Sequence, residues 1–259
     1  MRIEAGTDVG LVRKINEDSY DVYECGDYAY AVVADGMGGH LAGEVASAMA
    51  VEKIREYIIK NMTPELDRFQ AKEVLRSAFR YANSEIFEFS KSSESVMGMG
   101  TTTTLVMLRG GWLIYAHVGD SRAYTVGKDI KQITRDHSYV QELVKLGMIT
   151  PEEARVHPNR NQITRAMGVE PVVRVDSGLQ RYTGRLVLIC SDGLFGELED
   201  REIKDIVTDQ EPADAVRELI ELAKERGGRD NITAVIIDGR VNAKEKKDAK
   251  RKGSKGDNE

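Results

Sequence analysis

The sequence is poor in cysteine and in long apolar runs. Its 259 residues include only two cysteines, Cys25 and Cys190, which cannot build a disulfide framework and point to a reducing compartment. The longest apolar run, Tyr28–Ala34, is far shorter than the ~20 residues that span a bilayer. The N-terminus carries no apolar signal core. We therefore expect a cytoplasmic protein that does not associate with membranes.

An excess of positive charge is also absent. The 43 acidic residues outnumber the 37 basic ones and give a net charge of −6, which argues against nucleic-acid binding through general electrostatics. Aromatic residues make up only 6% of the chain, and its 24 glycines and 5 prolines are ordinary numbers, so a fibrous or wholly disordered chain is excluded. Charged residues dominate from Lys244 to Glu259, where burial cannot offset chain entropy. We predict a folded domain over residues 1–243 and a disordered tail over residues 244–259.

Between these limits, helix-like and strand-like stretches alternate without a repeat. Apolar residues at helical spacing predict two helices between Gly43 and Lys91, broken near Thr63-Pro64. The Gly110-Gly111 pair between two apolar runs predicts a hairpin. The other predicted strands are Tyr28–Ala34, Ala123–Val126, Ile130–Ile133, Val172–Gly178, Arg185–Cys190 and Ile232–Asp238, and the other predicted helices begin at Thr150-Pro151 or cover Arg201–Thr208 and Pro212–Glu225. Hairpins combined with paired helices predict an α+β layered domain rather than a parallel sheet.

Five acidic segments share one local pattern, in which a carboxylate lies beside a small, turn-forming or amide residue. An aspartate at a strand end has little conformational freedom, and a following glycine lets the backbone carbonyl turn inward as a further oxygen ligand. Converging carboxylates repel one another unless a cation neutralises them, and oxygen ligands select Mg²⁺ or Mn²⁺ over zinc. The segments are Asn16-Glu17-Asp18, Asp35-Gly36, Gly119-Asp120-Ser121, Ser191-Asp192-Gly193 and Arg229-Asp230-Asn231. Any one of them alone is an ordinary turn, but five together favour a metal site.

Few other residues indicate chemistry. Arg13 lies shortly before Asp18, where a guanidinium can capture a phosphate through two hydrogen bonds; a surface salt bridge is the alternative. No histidine has zinc spacing, and His40, close to Asp35, is the one candidate proton donor. Cys190 has no neighbouring base and no Gly-x-Ser-x-Gly motif is present, so nothing indicates a covalent nucleophile.

Taken in order, these segments resemble the motifs of the metal-dependent, type 2C serine/threonine protein phosphatases, in the form found in the bacterial branch. The similarity runs over residues 7–233, and several motifs in the family's order are far more specific than any one of them. The matching stretches are Thr7–Asp18, Val33–His40, Gly43–Ser47, Met99–Thr102, Val118–Arg122, Thr134–Ser138, Cys190–Leu194 and Asp230–Thr233.

The resemblance implies a four-layer α-β-β-α sandwich, in which two antiparallel sheets are flanked by helix pairs. It implies that Asp35 bridges two divalent cations, Mn²⁺ or Mg²⁺, and that the Gly36 carbonyl binds one of them. Asp192 and Asp230 would hold the other cation. Asp120, together with Asp192, would match a third and looser metal position.

The resemblance also implies roles around the metals. Glu17 and Asp18 would act through metal-bound waters, Asn231 would lie behind the ligands, and Arg13 would grip the phosphate. The segment Val140–Met167 would form a mobile flap beside the site.

One position departs from the family pattern. Met37 stands where many members carry a histidine that is often assigned as the acid protonating the leaving group. Either His40 takes this role or a metal-bound water protonates the seryl oxygen.

The expected function is hydrolysis of phosphoserine and phosphothreonine in proteins by a metal-bridging hydroxide. Residues 1–243 would then be a phosphatase catalytic domain, acting as a monomer on proteins that a cognate serine/threonine kinase phosphorylates. The alternative from another class is a catalytically silent scaffold or sensor that binds phosphoproteins. A metal phosphatase for small metabolites would share the chemistry and differ only in its groove.

Overall fold

Two antiparallel sheets and their covering helices make up the described part of the protein, residues 1–37 and 42–240 of a computed structural model. The strands are β1 (Arg2–Asp8), β2 (Asp18–Cys25), β3 (Tyr28–Met37), β4 (Gly100–Thr101), β5 (Thr103–Arg109), β6 (Trp112–Val118), β7 (Arg122–Val126), β8 (Ile130–Gln132), β9 (Asp176–Arg181), β10 (Leu186–Cys190) and β11 (Ile232–Asp238). The helices are α1 (Gly43–Asn61), α2 (Arg68–Phe89), α3 (Tyr139–Lys145), α4 (Pro151–Val156), α5 (Asp192–Phe195), α6 (Asp200–Asp209) and α7 (Pro212–Glu225). His40 and the predicted tail, residues 244–259, lie outside the described residues.

The sheets pack face to face, and each carries helices on its outer side. The first sheet has the strand order β1-β11-β10-β7-β8, and the second has the order β2-β3-β5-β6-β9, with β4 paired to β3. Helices α6 and α7 pack on the first sheet, while α1 and α2 pack on the second. This arrangement confirms the predicted four-layer α-β-β-α sandwich.

Alternation along the central strands explains why both faces of each sheet are apolar. In β3, Val32 and Ala34 face the α1–α2 layer, whereas Ala31 and Val33 face the other sheet. Successive side chains in a strand point to opposite faces, so a strand buried on both sides reads as one continuous apolar run. The same rule places Cys190, a buried thiol, against the helices of the first sheet. Its role is packing, as expected.

Local signals account for the ends of several elements. Gly110 and Gly111 have φ values of 55° and 78°, the left-handed conformation that the predicted hairpin between β5 and β6 requires. Thr150 caps α4 through a capping box with Glu153, as the Thr-Pro-Glu-Glu sequence indicates. No described helix is long and apolar enough to cross a membrane.

The strand prediction was wrong at Val172–Gly178. The strand there is β9, Asp176–Arg181, and Val172 is 81% exposed. Pairing with β6 sets the limits of β9. The register of this pair runs from Trp112↔Arg181 to His117↔Asp176. Strands β1 and β2 and helices α3 and α5 were not predicted.

Truncating a side chain between the sheets tests the packing. Ile189 is fully buried there, so Ile189→Ala should lower the free energy of unfolding by ~2–5 kcal/mol through lost burial and a residual cavity. Val172→Ala, at an exposed position, should change it by no more than ~0.5 kcal/mol. Urea unfolding of both variants provides the measurement, and equal effects would contradict this packing.

Candidate metal centre

The five predicted acidic segments lie at one common end of the two sheets. Asp18 opens β2 directly opposite Asp35 near the end of β3. Asp120 follows the end of β6, Asp192 follows β10, and Asp230 precedes β11. Since these strands are antiparallel neighbours within their sheets, the ends that carry the carboxylates meet at the same edge.

Asp18 joins the two sheets at this end. Its Oδ2 accepts hydrogen bonds from Ser191 Oγ at 2.7 Å and from Thr233 Oγ1 at 2.6 Å, both on the first sheet. Burial raises the pKa of Asp18 to about 7, and the negative charges of Asp192 and Asp230 add to the effect of burial, against the lowering effect of the two hydrogen bonds.

Asp35, Asp192 and Asp120 crowd together next to Asp18. Desolvation raises the pKa of Asp35 well above its usual range, with further contributions from Asp18 and Asp192. Burial and the negative charge of Asp230 raise the pKa of Asp192 to about 6, against a lowering effect of the neighbouring Asp35 side chain. Burial and the charge of Asp192 also raise the pKa of Asp120 well above its usual range. Each of these carboxylates therefore makes it harder for its neighbours to ionise.

Backbone contacts fix the Asp35-Gly36 segment. The Asp35 carbonyl accepts from Thr102 N at 2.8 Å and from Thr101 Oγ1 at 2.9 Å, and the Asp35 amide donates to Thr102 Oγ1 at 3.2 Å. The Gly36 amide donates to the Glu17 carbonyl at 3.0 Å. A Cβ at Gly36 would lie 2.6 Å from the Glu17 carbonyl oxygen, so this chain crossing requires glycine. The predicted metal-binding role of the Gly36 carbonyl stays a prediction.

Arg13 forms a salt bridge at the rim of the site. Its guanidinium donates to Asp230 Oδ2 at 2.8 Å and lies 3.8 Å from Glu17 Oε2, while the side chain stays 47% exposed. The structure thus shows the salt-bridge alternative, but with a predicted metal ligand as the partner. The hydrogen bond to Asp230 raises the pKa of Arg13, and the guanidinium stays charged.

Asn231 holds the loop that carries Arg13 and Glu17. Its Nδ2 donates to the carbonyls of Val9 and Ile15, both at 3.0 Å, and its Oδ1 accepts from the Glu17 amide at 2.8 Å. This placement agrees with the position behind the ligands that the resemblance implies.

Both ends of the segment Val140–Met167 are tied to the carboxylate-bearing turns. The His137 amide donates to the Gly119 carbonyl at 2.7 Å, and the Gly119 amide donates back to His137 Nδ1 at 2.9 Å. At the other end, Met167 and Thr101 exchange two backbone hydrogen bonds, of 2.8 and 3.0 Å. The segment therefore starts beside Asp120 and ends beside the threonine that holds Asp35.

The two histidines nearest the site have structural environments. His117 is fully buried between Thr104 Oγ1 and the Arg135 carbonyl, and burial lowers its pKa to about 3. His137 has a lowered pKa for the same reason. Both are neutral near pH 7. His40, the candidate proton donor, lies outside the described residues.

The donor set fits a hard divalent cation. Within the described residues, Oδ1 of Asp18, Oδ1 of Asp192 and Oε2 of Glu44 are buried without a hydrogen-bond partner. Buried carboxylate oxygens seldom lack partners unless an ion or water satisfies them. In residues 1–37 and 42–240, however, no three His, Cys, Asp or Glu side chains already form a ligand set for an ion. Asp18 is instead hydrogen-bonded to Ser191 and Thr233, and Asp230 to Arg13.

Comparisons with known proteins give the family. Residues 12–236 match the family described as Protein phosphatase 2C. The chain is 38% identical over 245 residues to the serine/threonine phosphatase stp of Listeria innocua, across 92% of this chain and 96% of that protein. This chain belongs to the protein phosphatase 2C family. The resemblance inferred from the motifs is thereby confirmed, together with the assignment to the serine/threonine protein phosphatases.

Solved structures of protein phosphatase 2C enzymes share the fold. Stp1 from Staphylococcus aureus superposes with a TM-score of 0.85 at 35% identity, over 92% of this chain and 95% of that one. The catalytic domain of PstP, solved in complex with two manganese ions, has a TM-score of 0.78 at 38% identity, over 92% and 97% of the two chains. The family uses divalent metals, whereas the ions of this protein remain a prediction.

Several residues that build the site carried no role in the sequence analysis. The hydroxyls of Ser191 and Thr233 donate to Asp18, and the hydroxyl of Thr102 accepts from the Asp35 amide. The ring of His137 accepts from the Gly119 amide. All four lie within the recognised motifs, so the signal for them was present. The hydrogen-bond partner of each was the missing information.

The raised pKa values predict how the chelated protein responds to pH. Groups whose pKa is higher in the folded than in the unfolded state stabilise the protein at low pH and lose that contribution as pH rises. Because the pKa of Asp18 rises from 3.8 to about 7 on folding, we expect Asp18 to contribute a loss on the order of 1–3 kcal/mol in the metal-free protein as pH rises from about 4 to about 7. His117, whose pKa is lowered to about 3, opposes this trend in the same range, so the contribution of Asp18 is measured against a variant that lacks it.

Thermal unfolding in excess chelator measures this effect. Asp18→Asn keeps an oxygen acceptor for Ser191 and Thr233 but cannot ionise, so the melting temperature of the unchanged protein should fall relative to that of Asp18→Asn as pH rises from about 4 to about 7. Added Mn²⁺ should raise the melting temperature most at the alkaline end, because cations bind the ionised carboxylates. A difference between the two proteins that stays constant over this range would contradict the assignment.

Proposed function

We propose that this protein hydrolyses phosphoserine and phosphothreonine esters in proteins and depends on divalent cations for the reaction. The observation that carries the proposal is the convergence of Asp18, Asp35, Asp120 and Asp192, with buried carboxylate oxygens that have no partner among the described residues. Family membership supplies the reaction class, and the carboxylate cluster supports the metal dependence.

Five positions would hold the cations. In our proposal Asp35 and the Gly36 carbonyl serve one ion, Asp35, Asp192 and Asp230 serve the other, and Asp120 with Asp192 serves a third. When bound, such cations supply Lewis acidity, which generates a nucleophile from water near neutral pH and neutralises phosphoryl charge.

The residues of the chain would bind and orient the phosphate. Arg13 lies at the rim, 47% exposed, with its charge held beside Asp230. A planar guanidinium suits the oxygens of a phosphoryl group and stabilises charge that develops there. Glu17, which lies within 3.8 Å of Arg13, limits where the guanidinium can move. An acidic protein repels phosphate at long range, so Arg13 and the cations together must reverse the local field.

The leaving-group proton has two candidate sources, His40 and a water bound at the metal centre. Met37, partly exposed at the end of β3, cannot donate a proton. His117 and His137 remain outside this question because both are neutral and hold backbone groups. A His40→Ala variant compared with a Met37→His variant would distinguish the two sources.

We propose a phosphoprotein substrate, a cognate serine/threonine kinase, a monomeric state, a cytoplasmic location, and no nucleic-acid or membrane partner. The silent scaffold is not favoured, because every proposed ligand position carries its carboxylate or glycine.

Replacing a ligand tests the proposal. Asp230→Asn should lower turnover of a phosphothreonine peptide by ~100-fold or more, because the amide cannot neutralise a cation. Asp27→Asn, an exposed aspartate away from the site, is the matched control and should keep full activity. Chelation should abolish turnover, and Mn²⁺ or Mg²⁺ should restore it.

Calorimetric titration with Mn²⁺ gives a second readout. The unchanged protein and Asp27→Asn should bind the ion equally, whereas Asp230→Asn should bind it more weakly. Turnover that persists in excess chelator, or an Asp230→Asn variant with full activity, would overturn the proposal. Tight phosphopeptide binding without turnover in the unchanged protein would favour the scaffold.

A further inference from the structure

A cavity of about 390 Å³ adjoins the candidate metal centre. Asp120 and Asp192 lie at its edge, so it is continuous with the place where a phosphoryl group would bind. Its walls come from two parts of the chain, the segment Val140–Met167 on one side and the end of α5 on the other.

The charges on the floor of the cavity are already paired. Arg122, 21% exposed, donates to the Asp136 carboxylate at 2.7, 3.0 and 3.1 Å, and Gln132 donates to the same carboxylate at 2.6 Å. The Arg122 guanidinium also lies 3.8 Å from the centre of the Phe195 ring, a cation–π contact that engages its face. A second phosphate would have to break these pairs, so the floor does not favour one.

The wall that faces the floor carries an apolar strip. The strip consists of Val140, Val144, Pro151 and Ala154 from helices α3 and α4, and Phe195 closes the opposite side. Polar and charged residues of the same segment line the rest of the wall: Gln141, Arg155, Arg160 and Asn161. Val140 is 8% exposed, and the side chains of Val144 and Ala154 are half-buried. A side chain without charge gains most from such a wall, because it buries apolar surface and leaves the paired floor intact.

The wall is held at a set place relative to the metal centre. His137, directly before α3, is bonded in both directions to Gly119, next to Asp120. At the far side, the Arg155 guanidinium donates to the Leu198 carbonyl at 3.3 Å and connects α4 to the chain that follows α5. Both sides of the cavity are therefore connected to the rest of the domain by hydrogen bonds.

We infer that this cavity is a substrate-specificity pocket, which accepts an aliphatic side chain within about three residues of the phosphorylated serine or threonine. The inference rests on the proposed function. An extended peptide rises about 3.3 Å per residue, so a peptide whose phosphate lies at Asp120 and Asp192 brings its neighbouring residues to the cavity mouth. The preferred substrates are then phosphoproteins with Leu, Ile, Val or Met close to the phosphosite.

Paired peptides provide the test. Phosphothreonine peptides that carry Leu or Gly at each position within three residues of the phosphothreonine are compared by kcat/KM. At one position we expect the Leu peptide to exceed the Gly peptide by about 10-fold or more, the scale of discrimination by an apolar pocket. A small aryl phosphate, which has no neighbouring residues, reports whether each variant is folded and holds its cations.

Two flap substitutions separate the pocket from the rest of the flap. Val144→Asp places a charge in the apolar wall, so the Leu-to-Gly ratio should fall to near one. Val156→Asp makes the same change at a position that is 78% exposed and does not line the cavity, and it should keep the ratio. Ala154→Leu, which fills the cavity without charge, should raise KM for the Leu peptide and leave the Gly peptide unchanged.

The outcomes distinguish this inference from the function on which it rests. No Leu preference at any position, or a preference that survives both Val144→Asp and Ala154→Leu, overturns the pocket while peptide turnover upholds the phosphatase. Absence of peptide turnover, with or without turnover of the aryl phosphate, overturns both.

Discussion

Repulsion among crowded carboxylates is the constraint on which the rest of this structure depends. Asp18, Asp35, Asp120 and Asp192 each have a raised pKa because protein atoms exclude water and neighbouring negative charges add to the cost of ionisation. Such a cluster must take up protons or cations to exist in a folded protein. In our proposal, divalent ions bound at the site remove this cost, which otherwise weakens the fold at neutral pH.

The two packed sheets hold the carboxylates close together despite their repulsion, and the carboxylates are divided between the sheets. Asp18 is held across the interface by Ser191 and Thr233, so neither sheet alone supplies the site. Packing between Ala31 and Val33 of one sheet and Val187 and Ile189 of the other fixes the distance between them. The apolar core thus acts as the scaffold that keeps like charges together.

Sequence analysis predicted the elements whose signals are local. The α1–α2 pair, α7, β11 and the β5–β6 hairpin lie where apolar periodicity, a glycine pair or a proline cap predicts them. Strands β1 and β2 were missed because each is a half-buried edge strand, interrupted by polar residues and defined mainly by its partner. The predicted limits of β9 were wrong for the same reason, since pairing with β6 sets them.

The candidate site likewise contains residues that a local sequence pattern predicts and contacts that no local pattern predicts. Its carboxylates could be predicted because aspartates beside glycine, serine or asparagine form a repeated local pattern. The bond between Arg13 and Asp230 and the clamp of His137 on Gly119 join residues far apart in sequence. No local pattern specifies such pairs, and only the packed sheets bring them together.

Anomalous diffraction from crystals grown with Mn²⁺, recorded at the manganese absorption edge, tests the central claim most directly. The account predicts peaks within about 2.3 Å of carboxylate oxygens of Asp35 and Asp192. It also predicts that these peaks disappear when Asp35 is replaced by asparagine. Well-ordered crystals that show no manganese at this end of the sheets, or manganese bound only elsewhere, would contradict it.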